Sequence, residues 1–108
     1  MGEISRRAKI EAMLAEEPHD TFLRYSLAME LQKEEAWDDS LRCFHDLMRD
    51  EPAHVPSFFM AAKLLVQRRR VEEARAVLRD GIEQAREQGN QHAAAEMAEF
   101  LMALGEDG

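Results

Sequence analysis

The sequence predicts an all-α fold of about six helices, and three observations carry that reading. Apolar residues recur at intervals of three and four and nowhere in the strict alternation of a strand, and every connection is short. The third observation is a repeat. Glu17-Pro18 and Glu51-Pro52 stand 34 residues apart, and at that offset Ala28 falls on Ala62, Leu31 on Leu65, Asp38-Asp39 on Glu72-Glu73, Ser40 on Ala74 and Phe44 on Leu78. A period of this length marks stacked helical units, none of which buries its apolar face alone.

The first helix is expected from about Ser5 to Glu16, capped by Ser5 and closed by Pro18, with Ile10, Met13 and Leu14 as its apolar stripe. Asp20 or Thr21 caps a second helix, whose stripe is Phe22, Leu23, Leu27, Ala28 and Leu31 and which fades between Lys33 and Glu35. After a connection ending at Trp37, Asp38-Asp39 open a third helix, where the backbone dipole favours their carboxylates. Leu41, Phe44, Leu47 and Met48 are its inward face, and Pro52 stops it. A fourth helix follows from about Pro56, since proline is tolerated in a first turn, and carries Phe58, Ala61, Ala62 and Leu65.

Arg68-Arg69-Arg70 form the next corner. The fifth helix runs from Val71 to about Gln88 with Ala74, Val77, Leu78 and Ile82 inward, and Gly89-Asn90 ends it because glycine takes the left-handed conformation freely. The sixth, from about Gln91 to Leu104, presents Met97, Ala98, Leu101 and Leu104 on one side, and a polar tail follows.

Helix pairs with this period and a proline after the second helix resemble the tetratricopeptide repeat, with its run W-x2-L-G-x2-Y, A-x3-F and P. In residues 21–54, Leu27-Ala28 take the Leu-Gly place, Leu31 the Tyr place, Ser40 the Ala place, Phe44 the Phe place and Pro52 the closing proline. In residues 55–88, Phe58 takes the Trp place, Ala61-Ala62 the Leu-Gly place, Leu65 the Tyr place, and Ala74 and Leu78 the Ala and Phe places. Residues 5–18 resemble the second helix of a half unit, Ile10 and Met13 matching Phe44 and Leu47. Residues 91–104 resemble a capping first helix, with Met97-Ala98 and Leu101 in the Leu-Gly and Tyr places after a linker two residues longer. The pattern departs at Arg24, where an aromatic is expected, at Leu47 and Arg86, and at Glu35 and Arg69, which replace the turn glycine. The resemblance implies one domain over residues 1–108, a right-handed α-α superhelix of antiparallel helix pairs.

It also implies a function. Members of the family hold a peptide or a partner's helix on the concave face of the first helices, which maps here onto Phe22, Tyr25, Met29 and Lys33, then Phe59, Lys63 and Val66. Tyr25 and Phe59 take the same place in successive units, outside the stripe expected to be buried, and a Met beside exposed aromatics suits a binding hot spot. The competing expectation is that the last helix folds over this face and buries it. Members that clamp a terminal carboxylate place Lys and Asn where Tyr25 and Met29 stand, so that ligand is not expected. The reading is a non-catalytic protein-interaction module; the alternative is a self-associating scaffold, a homodimer without a peptide ligand.

Composition narrows the classes further. The 108 residues carry a formal net charge of −8, which argues against nucleic acid, whose binding draws on Lys and Arg, and against anionic membranes. Cys43 is the single cysteine, so an internal disulfide and a four-thiolate zinc site are excluded, and a reducing, cytoplasmic setting fits. Cys43 and His45, two apart, lie on different sides of a helix, and the four histidines lack i,i+4 spacing, so no catalytic residue, metal or cofactor is expected. No segment reads as a secretory signal or reaches the roughly 20 apolar residues of a membrane span. Arg68-Arg69-Arg70, with Lys63, Arg75 and Arg79 in reach, reads as a solvated corner balancing Glu72-Glu73 or, less simply, as a phosphate or acidic-partner site.

Overall fold

The computed structural model describes residues 4–105, and these form six helices and no strand: α1 (Arg6–Glu16), α2 (Thr21–Lys33), α3 (Trp37–Met48), α4 (Val55–Gln67), α5 (Val71–Glu87) and α6 (Gln91–Ala103). The polar tail expected after Leu104 lies, beyond Gly105, outside the described residues. Three helices start as their sequences dictate. Ser5 Oγ accepts from the Ala8 amide at 3.0 Å, Asp20 Oδ1 from Leu23 at 2.9 Å, and Asn90 Oδ1 from Ala93 at 3.0 Å. Each satisfies one of the amides a helix start leaves without an intrahelical acceptor. At α4, whose first turn holds Pro56, His54 Nδ1 instead shares a 2.8 Å hydrogen bond with the Ser57 hydroxyl, which is fully buried.

Three helices also stop in one way. The amides of Ala36, Arg70 and Asn90 donate back to the carbonyls of Leu31, Leu65 and Ala85 at 2.9, 2.8 and 2.8 Å. The residue before each, Glu35, Arg69 or Gly89, has φ of 64°, 64° and 75°. This closing bond requires a left-handed residue, and only Gly89 takes it without a steric penalty.

The chain divides after Leu47 into two compact units. In the first, α1 packs on α2, and α3 lies against α2 closely enough for Ser40 Oγ to donate to the Ala28 carbonyl at 2.7 Å, both residues fully buried. Ile10, Leu31, Leu41, Phe44 and Leu47 are buried with them. Arg6 and Arg7 reach across from α1 to Glu30 of α2 and to Glu34 at its C-cap, at 3.2 and 3.0 Å. Two expected core residues are not core: Met13 is 49% exposed and Phe22 is 75% exposed. Spacing at three and four gives Met13 the direction of an apolar stripe, but a stripe is buried only where a neighbour stands on that side.

In the second unit α5 packs on both α4 and α6. Phe58, Ala61, Ala62, Leu64 and Leu65 of α4, Ala74, Val77, Leu78, Ile82 and Ala85 of α5, and Ala94 and Met97 of α6 form its core. Gly81 sits at the tightest point: a Cβ there would lie 2.6 Å from Phe58 Cβ and 2.7 Å from Met97 Sδ. Two side chains tie the ends. Gln88 Nε2 donates to the Ala53 carbonyl at 2.9 Å, and Arg75 Nη2 donates to the Leu104 carbonyl at 2.8 Å while its other terminal nitrogen meets Glu72.

Gly81→Ala reverses the usual sign of that substitution. In an open helix it stabilises by about 1 kcal/mol, but here the overpacking against Phe58 makes a net loss of about 1–3 kcal/mol the expected outcome, read as a lower urea midpoint. Glu35→Gly and Arg69→Gly are expected to raise stability by roughly 0.5 kcal/mol each, because relief of about 1–2 kcal/mol of left-handed strain exceeds the roughly 0.5–1 kcal/mol entropy loss of glycine. Thermal melts of each variant against the parent check the sign.

Candidate partner-binding faces

On α2, Phe22, Tyr25, Met29 and Lys33 are spaced by three and four and share one side of the helix. They differ in freedom. Phe22 projects into solvent, Tyr25 and Met29 are half-buried, and Lys33 is exposed with its ammonium 3.8 Å from Glu30. The Tyr25 ring stands edge-on to Phe44 of α3, centroids 6.0 Å apart at 63°, a favoured aromatic geometry. Burial raises the Tyr25 pKa. Tyr25 is therefore partly core, where the sequence placed it outside the buried stripe.

The corresponding side of α4 carries Phe59, Lys63 and Val66. Here the expectation that the last helix covers the face is met in part. Phe100 of α6 meets Phe59 edge-to-face, centroids 5.6 Å apart at 65°, while Lys63 Nζ stands 4.5 Å from the same ring centroid on a helix whose neighbouring Val66 is half-buried. Phe59 stays half-buried, so α6 supports the ring without sealing it. Phe100 was missed in the sequence because the spacing of α6 was read from Met97, Ala98 and Leu101; its position one turn after Glu96, beside Met97, was the available signal.

The basic corner resolves into pairs. Arg70 binds Glu73 at 2.7 Å, and Arg75 is mostly buried, holding Glu72 and the end of α6, so it contributes no free charge to a surface cluster. Cys43 is half-buried, and its thiol pKa is raised by burial first, then by the carboxylates of Asp46 and Asp39, against the opposing effect of Arg42 and Arg24. Among the described residues no group of three His, Cys, Asp or Glu side chains is placed to hold a metal ion, and no helix is long and apolar enough to cross a membrane.

No protein-family model matches the sequence, and no curated relative does. Among solved structures, the chain is similar to the solution NMR structure of a tetratricopeptide repeat domain protein from Salinibacter ruber. The two are 31% identical, the match covers 81% of this chain and 88% of that one, and the TM-score is 0.75.

The Cys43 environment gives a pH test. A thiol that holds its proton more tightly when folded contributes stability that is complete below the ordinary thiol range and is lost as pH rises through the folded pKa. Alkylation of the native chain, followed against pH by mass spectrometry, is expected to reach its midpoint at higher pH than in the urea-unfolded chain. Equal midpoints would remove the assigned environment.

Proposed function

The chain belongs to the tetratricopeptide-repeat family, a fold that mediates protein–protein interaction, and we propose from that premise that it is a non-catalytic adaptor binding a peptide or helical segment of another protein. The first-helix faces of its two complete repeats carry the contact: Phe22, Tyr25, Met29 and Lys33 on one, Phe59, Lys63 and Val66 on the other. The observation that supports this most is Phe22. Three-quarters of its surface is open to solvent although it opens a helix with apolar Leu23 and Leu27 beside it, and solvation alone gives no reason to place an aromatic there.

The half-buried aromatics deepen the reading. Tyr25 against Phe44 and Phe59 against Phe100 are held by edge contacts, so each ring is fixed before a ligand arrives. A ring already ordered loses less side-chain entropy on binding, and anchors of this kind dominate interface energy. Lys33 and Lys63, one on each face, favour a ligand with acidic residues flanking its apolar ones. Catalysis has no counterpart in this arrangement: Cys43 is a thiol with a raised pKa, the opposite of an activated nucleophile.

Phe22→Ala and Lys63→Glu test the faces without touching the core, since both side chains are exposed. Partners retained by the parent chain on affinity capture are expected to bind the double variant at least about tenfold more weakly, the loss of one buried aromatic and one charge contact. Retention of every partner at parental affinity, with helicity unchanged, would remove these faces from the binding function.

A further inference from the structure

The face of α4 that carries Phe59, Lys63 and Val66 continues onto α6. Under the alignment that places Met97 on Ala61, Ala94 falls on Phe58, and all four of these residues are buried. The same alignment carries Phe59, Lys63 and Val66 onto Ala95, Glu99 and Met102, so the two helices present equivalent sides. Ala95 and Glu99 are exposed, and Met102 is 77% exposed. The two strips are neighbours within the second compact unit, because α4 touches α6 and the Phe59 ring meets Phe100 edge-to-face. Together they make one surface.

Each strip carries one sign of charge. Lys63 is the only Lys, Arg, Asp or Glu of α4, while α6 has Glu96 and Glu99 and no Lys or Arg. Glu96 lies 3.6 Å from His92, but among the described residues neither Lys63 nor Glu99 has an ion-pair partner. The Lys63 ammonium rests on the Phe59 ring, 4.5 Å from its centroid. Lys63 and Glu99 stand at the same level of their helices, about one turn after Phe59 and Ala95 and one turn before Val66 and Met102.

Such a surface is complementary to itself. A two-fold axis normal to it, passing between Lys63 and Glu99, lays α4 of one copy antiparallel over α6 of a second. Lys63 then faces the second copy's Glu99, Phe59 faces its Met102 and Val66 faces its Ala95, each contact being made twice. Opposite charges meet, and a thioether lies against an aromatic ring. The other superpositions are worse, since α4 on α4 opposes two Lys63 ammoniums and α6 on α6 opposes two Glu99 carboxylates.

We infer that Phe59, Lys63 and Val66 of α4 and Ala95, Glu99 and Met102 of α6 form a self-pairing surface, whose occupant is a second copy of this chain. The inference goes beyond the adaptor reading and shares α4 with it, so a paired copy and a ligand exclude each other there. A contact of six side chains from each copy gives a weak dimer, one that concentration controls.

Sedimentation equilibrium of the full chain at rising concentration reads the pairing without any ligand. The parent is expected to move from monomer to dimer mass, with the amide resonances of Ala95, Glu99 and Met102 broadening over the same range. Lys63→Glu sets carboxylate against carboxylate at both charge contacts, and Glu99→Lys sets ammonium against ammonium. Each variant alone is expected to dimerise at least about tenfold more weakly, with helicity unchanged because both positions are exposed. Mixed together, the two variants restore both opposite-charge contacts, and a heterodimer of parental affinity is expected. A parent that stays monomeric, a single variant that dimerises as the parent does, or a mixture that stays monomeric would each overturn the assignment. None of these results bears on capture of a partner through Phe22, so the adaptor reading stands or fails by its own test.

Discussion

The structure depends on how closely a second helix can lie on a first, and that distance is set by a few small side chains. Ser40 reaches the Ala28 carbonyl because neither residue holds the helices apart, and Gly81 leaves less than a carbon's clearance between α5, Phe58 and Met97. Large residues then fill the space on either side, Phe44 and Leu47 around one contact and Phe58, Leu65 and Leu78 around the other. Helices that pack at such short range bury apolar area efficiently, which matters in a chain of 108 residues, whose surface is large relative to its volume.

Close approach also constrains the turns. An antiparallel partner can return along α2 or α4 only if the helix stops sharply, and the stop used at Glu35, Arg69 and Gly89 is the same left-handed residue followed by the same backward amide bond. Two of those residues are poor choices for the conformation on local grounds. They persist because the bond from Ala36 to Leu31, and from Arg70 to Leu65, fixes the geometry, and the packing of the following helix gains more than the turn loses. Tertiary contact overrides local preference at these corners.

That hierarchy explains what could be read from the sequence. The six helices were legible, and with them the ends at Ser5, Asp20 and Gly89, because those residues act on backbone groups within a turn of themselves, and the 34-residue offset aligned Ala28 with Ala62 and Ser40 with Ala74. The burial of individual apolar residues was less legible. Phe22 and Met13 satisfy the helical spacing yet are exposed, while Leu64, Ala94 and Ser57 were passed over and are buried. Periodicity gives the direction a side chain points; it does not say whether a neighbour is present on that side. Tyr25 and Phe59 show the same limit at the candidate site, since their edge contacts with Phe44 and Phe100 come from different helices and leave no local mark.

Charge also serves the helix contacts at α1 and α6, and it does so differently at each. On α1, Arg6 binds Glu30 of α2 and Arg7 binds Glu34 at its C-cap, so ion pairs reinforce the apolar contact between the two helices. At α6 the contact is made by Arg75 of α5, which donates to the Leu104 carbonyl at the helix end. There it satisfies a terminal carbonyl and opposes the negative end of the helix dipole, which anchors the last helix without covering its flank. Charge thus ties α1 to its neighbour along the side of the helix, and α6 to its neighbour at the helix end.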